Sequence, residues 1–308
     1  MRIIFMGTPD FAVATLQRLV ENGFEVVAVI TAPDKPVGRG QKMSESPVKK
    51  YALSQGIPVL QPEKLKNKAF LEKLATYKAD LQVVVAFRML PEAVWAMPKM
   101  GTINLHGSLL PQYRGAAPIN WAVINGEIIT GVTTFFIEKE IDTGNIIFSE
   151  NIEIKETDTA GDLHDRMMWI GGDLMVKTVK AIASGVYPSV KQDFSQELKP
   201  APKIFKETCK IDWQQEAKNI YDFVRGLSPY PAAWTILDGK VLKIFETEIV
   251  TDELPELDNF EFEGFTLKTD HKKSLFIQTI DGHLAIKSLQ LEGKKRITTE
   301  EFLRGYRF

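Results

Sequence analysis

The amino-terminal half of the chain alternates short apolar runs with stretches of helical periodicity. The runs are rich in valine and isoleucine and are too short for helices, which is typical of strands buried on both faces. They are RIIFMG (2–7), EVVAVIT (25–31), LQVVVAF (81–87) and GTINLH (101–106). Helical patterns lie between them, at 9–21 and 67–78. This β-α-β order predicts an α/β fold with a mostly parallel, Rossmann-like sheet and helices on both faces.

Two further strands and a long helix follow in the pattern. The predicted strands are GVTTFFIE (131–138) and NIIFSENIEI (145–154), and the predicted helix covers 160–184. Gly171 and Gly172 lie inside this helix, where glycine disfavours helical structure.

The character of the chain changes at residue 185. Prolines, many lysines and little periodicity predict a linker over 185–206. Closely spaced strand patterns with Asp-Gly turn signals come next and predict a small β-barrel. They are WTILDGK, VLKIFETEIV, GFTLKTD, LFIQTIDG and HLAIKSLQL. The predicted domains are therefore an α/β domain at 1–184, the linker at 185–206 and a barrel domain at 207–308.

Composition narrows the classes of protein. The chain of 308 residues is 44% hydrophobic and 25% charged, which predicts a well-packed globular protein. No apolar run approaches the ~20 residues of a membrane span, and no signal-peptide pattern precedes the first strand, so we expect a cytoplasmic protein. The single cysteine, Cys209, excludes an internal disulfide and a cysteine-rich metal site. A net charge of -2 predicts no general attraction to nucleic acid, which would need a local basic patch.

Candidate chemistry begins at NLHGSLLP, residues 104–111. In a strand, Asn104 and His106 point to the same face, at the carboxyl end where open α/β sheets bind ligands. An amide donor beside an imidazole suits acyl transfer, because both can stabilise an oxyanion and the imidazole can also carry a proton. Asp142, in the turn between the last two α/β strands, is the candidate carboxylate partner.

Other readings of these residues stay open at this point. Asn104 alone can be a turn cap, His106 a structural histidine and Asp142 an ordinary turn residue. No serine lies in a G-x-S-x-G elbow, which argues against a covalent serine nucleophile. The histidines are too few and too dispersed to predict a zinc site, so we expect no metal.

A basic segment, DKPVGRGQKMSESPVKK, covers residues 34–50. Gly-Arg-Gly at its centre predicts a mobile loop that lays Arg39 against a phosphate, with Lys35 and Lys42 nearby. On charge alone, a solvated surface loop is the favoured interpretation of the segment. GTPDF (7–11) places a helix start after the first strand, but no G-x-G-x-x-G pattern follows, which argues against a dinucleotide-binding oxidoreductase.

Together these motifs resemble the methionyl-tRNA formyltransferase family, within the formyltetrahydrofolate-dependent transferase fold. The resemblance covers nearly the whole chain. Its motifs are FMGTPDFAV, APDKPVGRG, SPVK, NLHGSLLPQYRGAAPI, GVTTFFIE, DTG, KIDW, SPYPAAW and GKKRITTEEFLRG.

The resemblance implies a reaction and its residues. The formyl donor would be 10-formyltetrahydrofolate, and the acceptor would be the α-amino group of methionine on initiator tRNA, for translation initiation. Asn104, His106 and Asp142 would be the catalytic trio. The folate contacts would be Ser108, Leu109, Leu110, Pro111, Ala86, Phe87, Met89 and Leu90. Arg39, Lys35 and Lys42 would contact tRNA, and the OB-like carboxyl-terminal domain would bind the rest of it. We expect a monomer.

This sequence departs from the family pattern at two places. Residues 86–91 are one residue shorter than usual, with Phe87-Arg88 where Tyr-Gly is frequent. Asn145 stands where the family often has aspartate. Three rival functions are a sugar-amine N-formyltransferase, a hydrolase that releases formate from the same donor, and a non-enzymatic RNA-binding module. The Gly-Arg-Gly loop and the carboxyl-terminal domain argue against the first, and the trio argues against the third.

Overall fold

The computed structural model describes residues 1–37 and 42–308, and of Val37 and Lys42 only the backbone. The chain forms two compact units, each made of several chain segments. Unit 1 comprises Met1–Gly115, Ile129–Glu153 and His164–Pro200, and unit 2 comprises Ala116–Ile128, Ile154–Leu163 and Ala201–Phe308. Within the described residues, no helix is long and apolar enough to cross a membrane.

The first half of the chain carries a seven-stranded sheet and most of the helices. Its elements are β1 Arg2–Gly7, α1 Asp10–Glu21, β2 Glu25–Ile30, β3 Lys35–Val37, β4 Lys42–Ser44, α2 Pro47–Ser54, β5 Val59–Leu60, α3 Lys68–Thr76, β6 Leu81–Val85, α4 Glu92–Trp95, β7 Thr102–His106, β8 Arg114–Gly115, α5 Pro118–Ile124, β9 Ile129–Phe136, β10 Ile146–Glu153 and α6 Ala160–Ser184. Of these, α5 and the first four residues of α6, 160–163, belong to unit 2.

The sheet of unit 1 has the order β10-β9-β7-β6-β1-β2-β5. The five strands from β7 to β5 are parallel, and β9 and β10 continue the sheet antiparallel. Alternate residues of β1 face opposite layers: Ile4 and Met6 lie in the apolar cluster that contains Phe70 and Leu74 of α3. The predicted α/β class and its parallel-dominated sheet are confirmed.

The helix α6 has the predicted bounds in spite of its two central glycines. A side chain at Gly171 would approach the Leu105 side chain of β7 to 2.7 Å, and one at Gly172 would approach Cγ of Arg18 on α1 to 2.9 Å. Both glycines therefore permit close packing of α6 against the sheet and a neighbouring helix, which outweighs their low helix propensity.

Unit 2 contains a curled antiparallel sheet. The remaining elements are β11 Pro200–Ala201, a 3-10 turn at Glu207–Cys209, α7 Ala217–Leu227, β12 Ala233–Leu237, β13 Lys240–Val250, β14 Asp258–Phe262, β15 Phe265–Thr269, β16 Leu275–Gln278, β17 His283–Leu291, β18 Ile297–Thr298 and α8 Thr299–Gly305. The strand order is β12-β13-β17-β16-β15-β14, with β18 on β17. The predicted Asp-Gly turn joins β12 to β13, with φ of 48° at Asp238 and 73° at Gly239.

The segment predicted as a linker has little regular structure, but its first part is hydrogen-bonded within unit 1. Val190 forms an isolated antiparallel bridge with Ile146, and Tyr113 N donates to Lys199 O at 2.7 Å. The compact units also place 116–128 and 154–163 with the carboxyl-terminal residues. The division of the chain at residues 184 and 206 stays a prediction.

Candidate active site

The strand β7 separates polar from apolar side chains. Asn104 pairs in register with Val84 of β6 and Phe135 of β9, so it lies in the middle of the sheet near its carboxyl edge. His106 lies two residues further on the same face, while Leu105 on the other face packs against α6. The two polar residues that the sequence singled out therefore share one face, as the alternation predicts.

His106 is buried, with 6% of its surface exposed, and both ring nitrogens have defined neighbours. Nε2 lies 2.9 Å from the backbone oxygen of Tyr113, which can only accept a hydrogen bond. Nε2 therefore carries a proton, and Nδ1 is the nitrogen left for chemistry. Nδ1 lies 3.9 Å from Oδ2 of Asp142, too far for a hydrogen bond but within reach of a charge interaction when the ring is protonated.

Asp142 lies in the turn between β9 and β10 in a left-handed backbone conformation, with φ of 55°. Two bonds from the Gln192 side chain hold this turn: Nε2 donates to the backbone oxygens of Asp142 at 2.8 Å and Gly144 at 2.9 Å. The turn also passes so close to β9 that a side chain at Gly144 would lie 1.7 Å from the Phe136 oxygen. The structure thus brings the predicted trio together at one edge of the sheet.

The apolar turn that follows β7 is fixed by Thr133 of β9. Its hydroxyl donates to the Ser108 oxygen at 2.7 Å and accepts from the Leu110 nitrogen at 3.2 Å. Ser108, Leu110 and Pro111 are buried, whereas Leu109 is partly exposed. Of this predicted folate wall, Leu109 therefore offers side-chain surface to a ligand.

The predicted residues after β6 lie at the same edge of the sheet. Val85 pairs with Leu105, so Ala86 follows at the level of His106, with a positive φ of 46°. Ala86 and Met89 are exposed, Phe87 is half-buried and Leu90 is buried. Ala86, Phe87 and Met89 therefore present accessible surface, whereas Leu90 belongs to the core.

Arg88 is one of the residues that depart from the family pattern. Its guanidinium donates to the backbone oxygens of Pro62 and of Glu63, the latter at 2.7 Å. These bonds tie the segment after β6 to the segment after β5, so the arginine has a structural role in the described contacts.

The basic segment is only partly described. Arg39 lies outside the described residues, and of Lys42 the backbone in β4 is described. Lys35 is exposed in β3, which pairs with β4 to form a short hairpin. The three predicted tRNA contacts therefore stay predictions.

Lys49 contributes less free positive charge than the sequence count suggests. Its ammonium group bonds Asp34 and lies 3.0 Å from Glu45 Oε1. The hydrogen bond to Asp34 raises the pKa of Lys49, and the same bond lowers the pKa of Asp34. Lys49 is thus already neutralised by its neighbours.

Sequence reasoning missed two residues that position the site. Thr133 lies within a recognised strand, but nothing in the strand pattern distinguishes its role from that of Thr134. Gln192 lies in the predicted linker, where no periodicity or motif distinguishes it from its neighbours. Only its 4% exposure and its contacts in the folded chain reveal it.

The fold and this edge of polar side chains define a class of acyl-transferring α/β enzymes, and comparison with known proteins agrees. The family model Formyl transferase matches residues 1–179, and the model Formyl transferase, C-terminal domain, matches residues 203–307. A methionyl-tRNA formyltransferase of Bacteroides thetaiotaomicron is 56% identical, over 100% of this chain and 96% of that protein. One of Flavobacterium johnsoniae is 49% identical, over 100% and 97%. The chain therefore belongs to the methionyl-tRNA formyltransferase family.

Solved structures of two other proteins share the fold at low sequence identity. A sugar 3N-formyl transferase, WlaRD, solved with dTDP and 5-N-formyl-THF, aligns with a TM-score of 0.66 at 23% identity, over 96% of this chain and 99% of that chain. HypX from Aquifex aeolicus, in complex with tetrahydrofolic acid, aligns with a TM-score of 0.65 at 19% identity, over 98% of this chain and 47% of that chain.

Proposed function

We propose that this protein transfers the formyl group of 10-formyltetrahydrofolate to the α-amino group of methionine on initiator tRNA. The observation that carries the proposal is the trio at the sheet edge, with His106 Nδ1 3.9 Å from Asp142 Oδ2 and Asn104 on the same face. Full-length relatives named methionyl-tRNA formyltransferase, at 49–56% identity, support this acceptor over an amino sugar.

Asn104 and His106 have the donors that such a reaction needs. Attack of the amine on the formyl carbon places negative charge on the formyl oxygen. The Asn104 amide donates to it, and so does His106 Nδ1–H when the ring is protonated on both nitrogens. A well-aimed donor of this kind lowers a barrier by ~3 kcal/mol. Asn104 is only partly buried, on the face of β7 that it shares with His106.

Asp142 acts through charge and proton transfer. When the amine attacks, it becomes positively charged and must lose a proton before the tetrahedral intermediate collapses. The collapse breaks the bond between the formyl carbon and N10 of the folate, and tetrahydrofolate leaves with the proton on that nitrogen. Asp142 stabilises positive charge on the His106 ring across 3.9 Å and offers a carboxylate oxygen for the proton. The bond from Nε2 to Tyr113 keeps the ring oriented throughout.

The remaining contacts complete the proposal. The folate lies along Leu109 and the exposed surfaces of Ala86, Phe87 and Met89, with Ser108, Leu110, Pro111 and Leu90 shaping the site from beneath. The tRNA is held by Lys35, Arg39 and Lys42 and by the carboxyl-terminal residues 207–308. The protein acts as a monomer in the cytoplasm.

The test is an acceptor comparison with 10-formyltetrahydrofolate as donor. Methionyl initiator tRNA and a nucleotide-linked amino sugar are offered separately, and kcat/KM is measured for each. We expect the tRNA to be preferred by at least about a hundredfold, because a site built around one acceptor leaves polar groups unpaired with another. Preference for the amino sugar would contradict the proposal.

A further inference from the structure

A segment of irregular chain, residues 189–199, borders the candidate site along much of its length. Val190 bridges to Ile146, at the start of β10. Lys199 N donates to Gln112 Oε1 at 2.8 Å, and Gln112 Nε2 donates to the Glu197 oxygen at 3.0 Å. The segment is therefore fixed to both turns that carry the trio's neighbours, the one after β7 and the one before β10.

Gln192 is the buried member of this segment. It is 4% exposed, and its side-chain nitrogen donates to two backbone oxygens, of Asp142 and of Gly144. Because both acceptors are carbonyls, the amide orientation is fixed with nitrogen toward the turn. Its oxygen has no hydrogen-bond partner among the described residues, so the burial of this amide is compensated mainly through the two bonds to the turn.

The two hydrogen bonds from Gln192 hold the backbone oxygens of Asp142 and Gly144, and the side chain of Asp142 faces His106. Asp142 adopts φ of 55°, a conformation that is uncommon outside glycine and persists when surrounding contacts hold it. The carboxylate carbon is only two bonds from Cα, so a shift of the turn changes the distance between Asp142 Oδ2 and His106 Nδ1 directly.

We infer that Gln192 is a positioning residue, which holds the Asp142 carboxylate at its working distance from His106. The inference rests on the proposed function, since it needs Asp142 to take part in transfer. Gln192 touches neither reacting group, and its effect on the rate passes through Asp142.

The experiment is a double-mutant cycle of Gln192→Met and Asp142→Asn in the full-length protein, with kcat and KM measured for formyl transfer to methionyl initiator tRNA. Methionine keeps the length of the buried side chain and removes the donor. A misplacement of about 1 Å can cost up to a hundredfold, so we expect Gln192→Met alone to lower kcat by about tenfold or more with KM values within about twofold. In the Asp142→Asn background the same change should lower kcat by less than about twofold.

Ser189→Ala is the matched control. It removes the bond from Asn145 Nδ2 to Ser189 Oγ, at 3.0 Å, which joins the same segment to the same turn without touching Asp142. Its kcat should stay within about twofold of the wild type. Should Gln192→Met fail to fold, Gln192→Leu replaces it, because leucine also removes the donor and buries no charge against the two carbonyl oxygens.

Equal losses of kcat in the two backgrounds would overturn the inference and show that Gln192 supports the fold alone. An Asp142→Asn single variant with the kcat of the wild type would instead remove the role of Asp142 on which the inference rests. That variant is measured without any change at Gln192. The two failures are therefore distinguishable.

Discussion

The site edge of unit 1 and the turn between β12 and β13 of unit 2 use positive φ angles in opposite ways. Asp238 and Gly239 turn the chain between β12 and β13, where these residue types suit the left-handed conformation. Beside the site, Ala86 and Tyr113 adopt positive φ angles of 46° and 56°, which such side chains rarely do. The conformational preference of the residue type agrees with the observed φ angle at the hairpin and conflicts with it at the site. Such conflict is expected where the backbone is held for function.

The largest effects are expected from the trio. Asn104→Ala, His106→Ala and Asp142→Ala should each lower kcat by about a hundredfold or more, because each removes a group that acts on charge formed during the reaction. Steady-state kinetics with methionyl initiator tRNA measures this, and circular dichroism checks the fold. A folded Asn104→Ala or His106→Ala protein within a few-fold of wild type would remove these residues from the catalytic role.

A matched pair of glycine substitutions tests whether the turn beside the site and the hairpin turn differ in their importance for activity. At Gly144 a new Cβ would lie 1.7 Å from the Phe136 oxygen, so Gly144→Ala must displace the Asp142 turn. At Gly239 nothing lies within 4 Å, and Gly239→Ala meets only the strain of its φ of 73°. We expect kcat to fall by about tenfold or more for Gly144→Ala and to change by less than about twofold for Gly239→Ala, whose stability falls by roughly 1 kcal/mol.

Denaturant unfolding and kinetics of the two glycine variants, measured side by side, check this pair. A Gly239→Ala protein with as large a kcat loss as Gly144→Ala would show that the difference between the two regions has no functional meaning.

Arg39→Ala should lower kcat/KM for the tRNA by about tenfold, and Arg39→Lys should restore it only in part, because lysine lacks the bidentate geometry of arginine. The slope of tRNA binding against salt should become shallower by about one unit or less. Folate affinity, measured separately, should not change. Lys50→Ala removes the same charge from an exposed position of α2 and serves as the control. Equal losses of folate affinity and of kcat/KM for the tRNA would show that Arg39 is a solvated residue without a specific partner.

The smallest effect on function is expected at Cys209 in unit 2, which is 1% exposed. Burial raises the pKa of its thiol, so at a given pH less of it is thiolate, the form that reacts with alkylating agents. Iodoacetamide at pH 8 should therefore label the native protein far more slowly than the protein unfolded in guanidinium. Similar labelling rates in both states would show that this core opens readily.

Sequence patterns predicted much of this architecture because they report local periodicity. The bounds of β1 and α6 and the shared face of Asn104 and His106 follow from such patterns. The role of Gln192 could not be predicted, because its partners lie 48 and 50 residues away and its segment has no periodicity. The neutralisation of Lys49 by Asp34 likewise depends on the folded backbone, which brings together residues that a count of charges treats separately.

Passage of the formyl group from the folate donor to methionyl initiator tRNA is the activity that we propose for this protein. The most direct measurement uses 10-formyltetrahydrofolate with a labelled formyl group and counts label on the tRNA-bound methionine and in free formate. We expect each formyl group lost from the folate to appear on the α-amino nitrogen of methionine. We also expect that omitting the tRNA nearly stops folate turnover. Release of the label as formate at the same rate with and without tRNA would contradict it.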